Sequence, residues 1–262
     1  MQTQHEDRVN TNIRYTSEWW AMQGRVRSFF SFSEKLHTRL LFRHLSTYPT
    51  GRKVLVDIGF GTGRLIGAVG KKLGEHGTRV LGFDISRRNV FSFTRNARRS
   101  SYRRAITVLP MDPYREVLCL KDGSVDYVCC SHVLEHVGND KGMLEEIHRV
   151  LKVSGRAFVM IPINEEQWDV PTHMRKYTSA AFKKMIKQRF TVEYEEENNV
   201  YSRALTFCAL RCTFHFTCLK RMLIFVLSLT PYEVVAAIDG LLLKAGLKPS
   251  QAFFILRKST AA

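Results

Sequence analysis

Short apolar runs alternate with stretches of helical periodicity along the chain, and this pattern predicts an α/β fold. The first run, 54–56, is bounded by polar residues and is typical of a buried parallel strand. The stretch behind it has apolar residues at helical spacing, namely Leu65, Ile66, Val69 and Leu73. Similar runs predict further strands at 80–84, at 106–111, around Cys129 and Cys130, and at 157–162.

The later part of the chain carries the same two kinds of signal. Asn139 and Asp140 are expected to cap a helix that ends at Gly155. Thr178 or Ser179 is expected to cap another helix. Further segments predict a strand at 191–194 that leads into an acidic run, a helix at 233–246 and a last strand at 251–258.

A glycine loop joins the first strand to the first helix. It contains Gly59, Gly61 and Gly63, and Asp57 stands two residues before the first of them. Such a loop lets the backbone turn tightly and lets a ligand approach without a side chain in the way. The spacing is not that of a dinucleotide fingerprint, because the sixth position is Arg64. Taken alone, the loop is also compatible with plain packing between strand and helix.

Two further acids follow the next two strands. Asp84 ends the second strand, 21 residues after Gly63, where nucleotide-binding α/β folds place an acid against the ribose hydroxyls. Asp112 follows the third strand. The carboxyl ends of parallel strands are where such folds bind their ligands, so this pattern indicates a nucleotide-like ligand.

Two motifs downstream make the prediction specific. Residues 122–128 read D-G-S-V-D-Y-V and residues 132–137 read H-V-L-E-H-V. Together with the glycine loop and the acids, these motifs resemble those of the type 11 branch of the class I S-adenosylmethionine-dependent methyltransferases, most clearly over residues 50–162. The resemblance implies a Rossmann-like, seven-stranded, mostly parallel sheet with helices on both faces, in which an antiparallel last strand lies between the fifth and sixth. It also implies an N-terminal helical cap at 1–50 and a methyltransferase domain at 51–262.

The resemblance implies that S-adenosylmethionine is the cofactor and assigns residues to it. The loop residues and Asp57 would surround the methionine part, Asp84 the ribose and Asp112 the adenine amino group, while Ser131 would face the methyl end. The complete set of implied cofactor positions is Asp57, Gly59, Gly61, Gly63, Asp84, Ile85, Asp112, Pro113 and Ser131.

Two histidines are candidates for a catalytic base. His132, just past the fourth strand, and His173 are both expected to point at the methyl group, and an imidazole can take a proton from a hydroxyl. For each, a structural or substrate-positioning role remains an alternative. His136 is interpreted as structural, at the start of a helix, and no ligand set for a metal is predicted.

The polar loop 163–177 is expected to form part of the acceptor site. It leaves the carboxyl end of the fifth strand, and the resemblance implies that His173 and Arg175 face the acceptor, with Tyr177 near them. Trp19 and Trp20 lie in the predicted cap and either line the acceptor pocket or staple the first helix to the core.

The chain is strongly basic, with a formal net charge of +16 and an isoelectric point of about 9.8. The stretch from Arg87 to Arg104 holds seven arginines and no acid. A surface of this kind suits an anionic partner such as RNA or an anionic membrane, although a solvated face that only adds solubility is the alternative.

An apolar helical segment is predicted at 204–247. Basic residues interrupt it before the roughly 20 apolar residues that a membrane span needs. It therefore forms core helices or an interfacial surface that dips into a membrane. The six cysteines form no trusted metal pattern, and with no visible signal peptide they favour a cytoplasmic location, with peripheral attachment to a membrane as the alternative.

The leading functional hypothesis is O-methylation of a small-molecule, sugar or lipid-linked acceptor. The sulfonium is already a good electrophile, so the protein mainly has to align donor and acceptor and exclude water. An RNA-modifying methyltransferase that uses the basic surface is the alternative, and a non-catalytic scaffold with this fold is a third reading. The sequence does not predict the oligomeric state.

Overall fold

The computed structural model describes residues 38–45, 47, 51–98, 100–112, 117–165, 172–198 and 231–259. A single sheet runs through this part of the chain. Its strands are β1 (Val54–Ile58), β2 (Arg79–Asp84), β3 (Ile106–Pro110), β4 (Val125–Ser131), β5 (Leu151–Pro162), β6 (Phe190–Asn198) and β7 (Gln251–Lys258). Several predicted features lie outside the described residues, namely Trp19, Trp20, Pro113 and the stretch 204–230.

The strand order in the sheet is β3-β2-β1-β4-β5-β7-β6. The pairs from β3 through β5 are parallel, whereas β7 pairs antiparallel with both β5 and β6. The predicted seven-stranded, mostly parallel sheet is confirmed, including the antiparallel last strand between the fifth and sixth. Apolar runs such as 54–56 became central strands because both faces of the sheet are covered.

The helices lie on both faces of the sheet. They are α1 (38–45), α2 (Arg64–Gly74), α3 (Arg87–Ala97), α4 (Asp140–Val150), α5 (Ser179–Ile186) and α6 (Tyr232–Lys244), with a 3₁₀ turn at Ser101–Arg104. One buried cluster joins the sheet to α4 and α5, and a second joins it to α1, α2, α3 and α6. The predicted two-sided arrangement is therefore confirmed, while the proposed boundary of the N-terminal cap falls mostly outside the described residues.

Side-chain caps begin three of these helices. Asn139 accepts a hydrogen bond from the amide of Gly142 at 2.9 Å, and Thr178 accepts one from Ala181 at 3.1 Å. Both caps follow the prediction, because a short polar side chain can satisfy an amide that the helix leaves unpaired. Ser86 caps α3 in the same way.

The predicted end of α4 at Gly155 is wrong. The helix ends at Val150, and Leu151 already has extended geometry and pairs with Val125 of β4. Gly155 lies inside β5, where an added Cβ would come within 2.9 Å of the Lys152 carbonyl oxygen in the same strand and 3.1 Å of the Asp126 carbonyl oxygen in β4. This glycine allows two strands to approach closely and is not a helix terminator.

The acidic run after position 194 lies within β6 and does not follow it. This strand is at one edge of the sheet, so its carboxylates meet basic side chains at the surface. Lys183 of α5, for example, donates to Glu195 at 2.7 Å. Among the described helices, none is both long enough and apolar enough to cross a membrane.

Candidate active site at the carboxyl edge of the sheet

The candidate site lies where β1 and β4 run side by side. The chain winds outward from β1 through β2 to β3 on one side and continues from β4 on the other. At such a reversal the loops after the strands separate and leave a crevice, which is where open α/β sheets bind ligands. The glycine loop after β1, the residues after β2 and β3 and the turn after β4 all meet there.

The glycine loop is built for close backbone approach. Gly59, Gly61 and Gly63 have φ angles of 67°, 54° and 78°, a region that favours glycine. A Cβ on Gly63 would lie 2.1 Å from the ring of Phe93, and one on Gly59 would lie 2.4 Å from the side chain of Val133. The loop therefore leaves no room for side chains on its packed sides.

Asp84 connects the glycine loop to the residues that follow β2. Its carboxylate accepts hydrogen bonds from the amides of Gly61 and Ser86, both at 2.8 Å, and from Asn89 Nδ2 at 3.2 Å. Burial raises the pKa of Asp84 to about 6, although these hydrogen bonds oppose the rise. The predicted ribose contact stays a prediction, and a carboxylate with about four lone-pair sites retains capacity for it.

Asp57 has an unmet hydrogen-bonding need. Its side chain is 2% exposed, and within the described part of the chain its Oδ2 atom is buried without a hydrogen-bond partner. Burial, followed by the nearby charge of Asp84, raises the pKa of Asp57 to about 8. An ammonium group at this position would supply both a donor and a positive charge. The glycine cradle and this orphaned carboxylate oxygen therefore fit the methionine end of S-adenosylmethionine.

The other implied cofactor positions lie at the same edge. Asp112 is exposed two residues past β3, and the amide of Met111 beside it donates to the carbonyl of Asp84 at 2.9 Å. Ile85 packs against the core, and Ser131 ends β4 with its hydroxyl 3.8 Å from Met160 Sδ. Their contacts with the cofactor remain predictions.

The turn after β4 is organised by a buried carboxylate. His132 has a φ of 54°, which is uncommon for a residue with a side chain and is frequent at functional sites. Its Nδ1 atom lies 3.2 Å from Oε1 of Glu135, which is fully buried. Burial by itself raises the pKa of Glu135, but the hydrogen bond from His132 and the nearby imidazoles lower it below its ordinary value. Glu135 is therefore a carboxylate.

A chain of hydrogen bonds from Glu196 through Asn198 and Gln251 presents an acceptor oxygen to His132. Glu196 accepts from Asn198 Nδ2 at 3.1 Å, and Asn198 Oδ1 accepts from Gln251 Nε2 at 2.6 Å. The Oε1 atom of Gln251 is thereby turned toward His132 Nε2, 3.3 Å away. Both ring nitrogens of His132 face acceptors, which is the arrangement of an imidazolium. Although burial lowers the pKa of His132, the interactions with Glu135 outweigh it and the pKa is raised.

His173 is oriented differently. Its Nδ1 atom lies 2.9 Å from a carboxylate oxygen of Glu165, which leaves Nε2 able to accept a proton or a ligand. Its ring meets that of His136 edge to face, with centroids 4.9 Å apart. His136 lies in the turn and not at the start of a helix, and its Nδ1 atom is 3.0 Å from the carbonyl oxygen of Thr172. The two histidines therefore link the turn after β4 to the loop after β5.

Arg175 and Tyr177 hold that turn in place. The Arg175 guanidinium donates to the carbonyls of Leu134, Val137 and Gly138 at 2.6 to 2.9 Å. The Tyr177 hydroxyl donates to Asp140 at 2.8 Å. These bonds use most of the donors of Arg175 and the hydroxyl of Tyr177, so both side chains support the turn. Their predicted contact with the acceptor stays a prediction.

Glu135, Gln251 and Glu165 were missed as site residues in the sequence. Gln251 is 119 positions from His132, and no local pattern connects them. For Glu135 the sequence contained a signal, since this acid stands among the apolar residues of the H-V-L-E-H-V stretch. An acid that is buried with such neighbours needs a partner.

Comparisons with known proteins agree with this geometry. Residues 56–159 match the family model described as a methyltransferase domain, type 11. The chain is 19% identical to a mitochondrial ubiquinone biosynthesis O-methyltransferase from Dictyostelium discoideum, over 80% of this chain and 73% of that protein. It is 33% identical to an uncharacterized 37.1 kDa protein in transposon TN4556 of Streptomyces fradiae, over 44% of this chain and 30% of that protein.

A solved structure shows the same fold. Geranyl diphosphate C-methyltransferase from Streptomyces coelicolor A3(2), in complex with Mg²⁺, geranyl diphosphate and S-adenosyl-L-homocysteine, superposes with a TM-score of 0.61 at 15% identity. The superposition covers 86% of this chain and 78% of that one. The strand order and the crevice are those of the class I S-adenosylmethionine-dependent methyltransferase fold. Residues 56–159 match the type 11 methyltransferase domain, and the predicted enzyme class and cofactor are confirmed.

Proposed function

We propose that this methyltransferase transfers a methyl group to an oxygen atom of a small-molecule, sugar or lipid-linked acceptor. The observation that carries the proposal is the position of His173, on a loop docked against the turn that follows β4. The amide of Met174 donates to the carbonyl of Glu135 at 2.8 Å and fixes this docking. A polar group that can take a proton from an acceptor hydroxyl is thereby held against the turn after β4.

The residues of the chain supply binding and alignment. When bound, S-adenosylmethionine supplies a methyl group on a sulfonium, which is already electrophilic. Asp57 would hold the ammonium group of the cofactor, and the glycine loop would leave room for its methionine part. In the transfer an oxygen–methyl bond forms as the sulfur–methyl bond breaks, and the hydroxyl proton must leave the acceptor. Alignment and exclusion of water account for most of the acceleration that such a reaction needs.

Of the two histidines predicted as base, the hydrogen bonds favour His173. Both nitrogens of His132 face acceptor oxygens, which favours the protonated ring and makes His132 the weaker proton acceptor. His173 keeps Nε2 for the acceptor because Glu165 engages Nδ1. The role proposed for His132 is a fixed positive charge that keeps Glu135 ionised and the turn ordered.

The experiment measures transfer of a labelled methyl group to phenols, sugars, prenylated lipids and RNA. We expect His173→Ala to lower turnover with the methylated acceptor by about 100-fold or more, the contribution typical of a positioned proton acceptor. Affinity for S-adenosylhomocysteine should not change, because His173 lies outside the cofactor crevice. His76→Ala, an exposed histidine, is the matched control. Transfer to RNA alone, or full activity of His173→Ala, would disprove the proposal.

A second candidate function is methylation of RNA. It is favoured by the exposure of the arginines on α3 and the 3₁₀ turn, for example Arg87, Arg95 and Arg103. The summed charge of such a surface attracts a phosphate backbone without reading its sequence. The salt dependence of binding separates this function from methylation of a neutral acceptor.

A further inference from the structure

A carboxylate and two imidazoles converge between the turn after β4 and the loop after β5. One ligand atom each of Glu135, His136 and His173 lies within 4.8 Å of the others. Glu135 and His136 come from the turn, and His173 comes from the loop that docks on it. The set combines the side chains that bind first-row transition ions in proteins.

One carboxylate oxygen of Glu135 has no hydrogen-bond partner among the residues that the structure describes. Oε1 is occupied by His132, whereas Oε2 is buried and lacks a hydrogen bond. The residue is fully buried, and its carboxylate is ionised. A buried, charged and unpaired oxygen is costly, and structures normally satisfy such an atom with a donor or a cation.

Both imidazoles are held as metal ligands usually are. The Thr172 carbonyl engages Nδ1 of His136, and the Glu165 carboxylate engages Nδ1 of His173. Metal-binding histidines almost always donate the other ring N–H to a carbonyl or a carboxylate, which fixes the tautomer and directs the second nitrogen at the ion. The same pattern occurs here on two residues that face each other.

We propose that Glu135, His136 and His173 form a binding site for a divalent transition-metal ion of the zinc class. Two imidazoles and one carboxylate are a known catalytic zinc set that leaves the fourth position open. Ligand atoms around tetrahedral zinc lie roughly 3.4 Å apart, as bonds of about 2.0 to 2.1 Å require. The farthest pair of ligand atoms therefore needs to approach by up to about 1.4 Å when the ion binds.

The metal site lies next to the cofactor loop, so the methyl acceptor can bind at the open coordination position of the ion. Val133, two residues before Glu135, packs against Gly59 of the cofactor loop. With the ion bound, His173 Nε2 is a ligand and no longer takes the proton. The ion would instead bind the acceptor oxygen next to the cofactor crevice and lower the pKa of its hydroxyl, so that the proton leaves to solvent. This use rests on the proposed function, whereas binding of the ion does not.

The test measures metal binding to the full chain after removal of bound ions with a chelator. Zn²⁺ is titrated by calorimetry, and Co²⁺ is followed by visible absorption, which reports the coordination geometry. We expect one ion per chain. Glu165→Gln should weaken Zn²⁺ binding by about 10- to 100-fold, as loss of a histidine's outer partner does, and His173→Ala should weaken it at least as much. The exposed-histidine variant His76→Ala should bind like the wild type.

The controls separate this proposal from the proposed function. Each variant is checked for S-adenosylhomocysteine affinity, which should remain at the wild-type value if the fold is intact. Absence of Zn²⁺ and Co²⁺ binding to the wild type would overturn the site. Unchanged binding to His173→Ala and Glu165→Gln would overturn it too, because the ion would then sit elsewhere, for instance on the cysteines and histidine at 208–218. Metal binding without methyl transfer would instead refute only the proposed function.

Discussion

At the scale of single residues, Asp57 links protonation to stability. Its pKa is about 3.8 in the unfolded chain and about 8 in the fold, because burial disfavours the charged form. A raised folded pKa means that its contribution to stability is complete below about pH 4 and is lost as the pH rises through 8. We expect the free energy of unfolding of the cofactor-free protein to fall over this interval. Asp57→Asn, which cannot ionise, should reduce that fall when both are measured by denaturant titration.

The control for Asp57 is Glu75→Gln, which replaces an exposed carboxylate at the end of α2. It should follow the wild-type profile across the same pH range. If the profiles of wild type and Asp57→Asn run parallel, the pKa of Asp57 is not raised in the fold and Asp57 does not link protonation to stability.

At the scale of elements, the junction of β1 and α2 depends on the absence of side chains. Gly63 combines a φ of 78° with a Cβ position 2.1 Å from Phe93. We expect Gly63→Ala to lower the free energy of unfolding by about 2 to 5 kcal/mol, the sum of left-handed strain and overpacking. The change should also weaken binding of S-adenosylhomocysteine, measured by calorimetry, because the loop would shift.

Gly123→Ala separates the two contributions. Gly123 has a φ of 58° but no atom within 4 Å of its Cβ position, so only the backbone strain of about 1 to 2 kcal/mol applies. Equal losses in the two variants would show that Phe93 moves aside freely and that close packing of the loop is not what requires glycine at position 63.

At the scale of the whole molecule, part of the net charge of +16 comes from the exposed arginines of α3 and the 3₁₀ turn, which form the arginine surface. If this surface binds RNA, charge reversal by Arg95→Glu, Arg98→Glu and Arg103→Glu should flatten the salt dependence of binding. Three lost phosphate contacts would reduce the slope of log K against log salt by about two units. The measurement is a fluorescence titration with single-stranded RNA at several salt concentrations.

The matched variant reverses three exposed lysines elsewhere, Lys71, Lys184 and Lys187, and changes the net charge by the same amount. It should keep the wild-type slope. If both variants lose affinity equally, attraction depends on total charge and the arginine surface is not a docking site; if RNA binding is insensitive to salt, the RNA hypothesis fails.

Much of the fold could be predicted because its signals are local. The apolar run 54–56, the glycine loop and the caps at Asn139 and Thr178 each act within a few residues, through burial, backbone freedom or one hydrogen bond. Gly155 shows where local reasoning fails. A glycine after an amphipathic stretch indicates a helix end, but at this position the neighbouring strand requires the missing side chain.

By itself, the sequence determined the fold class, the cofactor class and the edge of the sheet where the glycine loop and the acids gather, because these follow from periodicity, motifs and acids at the ends of strands. Only the tertiary structure decided what the histidines can do. Gln251 of the last strand places its amide oxygen 3.3 Å from His132 Nε2, and the loop after β5 brings His173 to Glu135 and His136. Protonation and ligand geometry depend on partners far away along the chain, and only packing of the sheet brings those partners together.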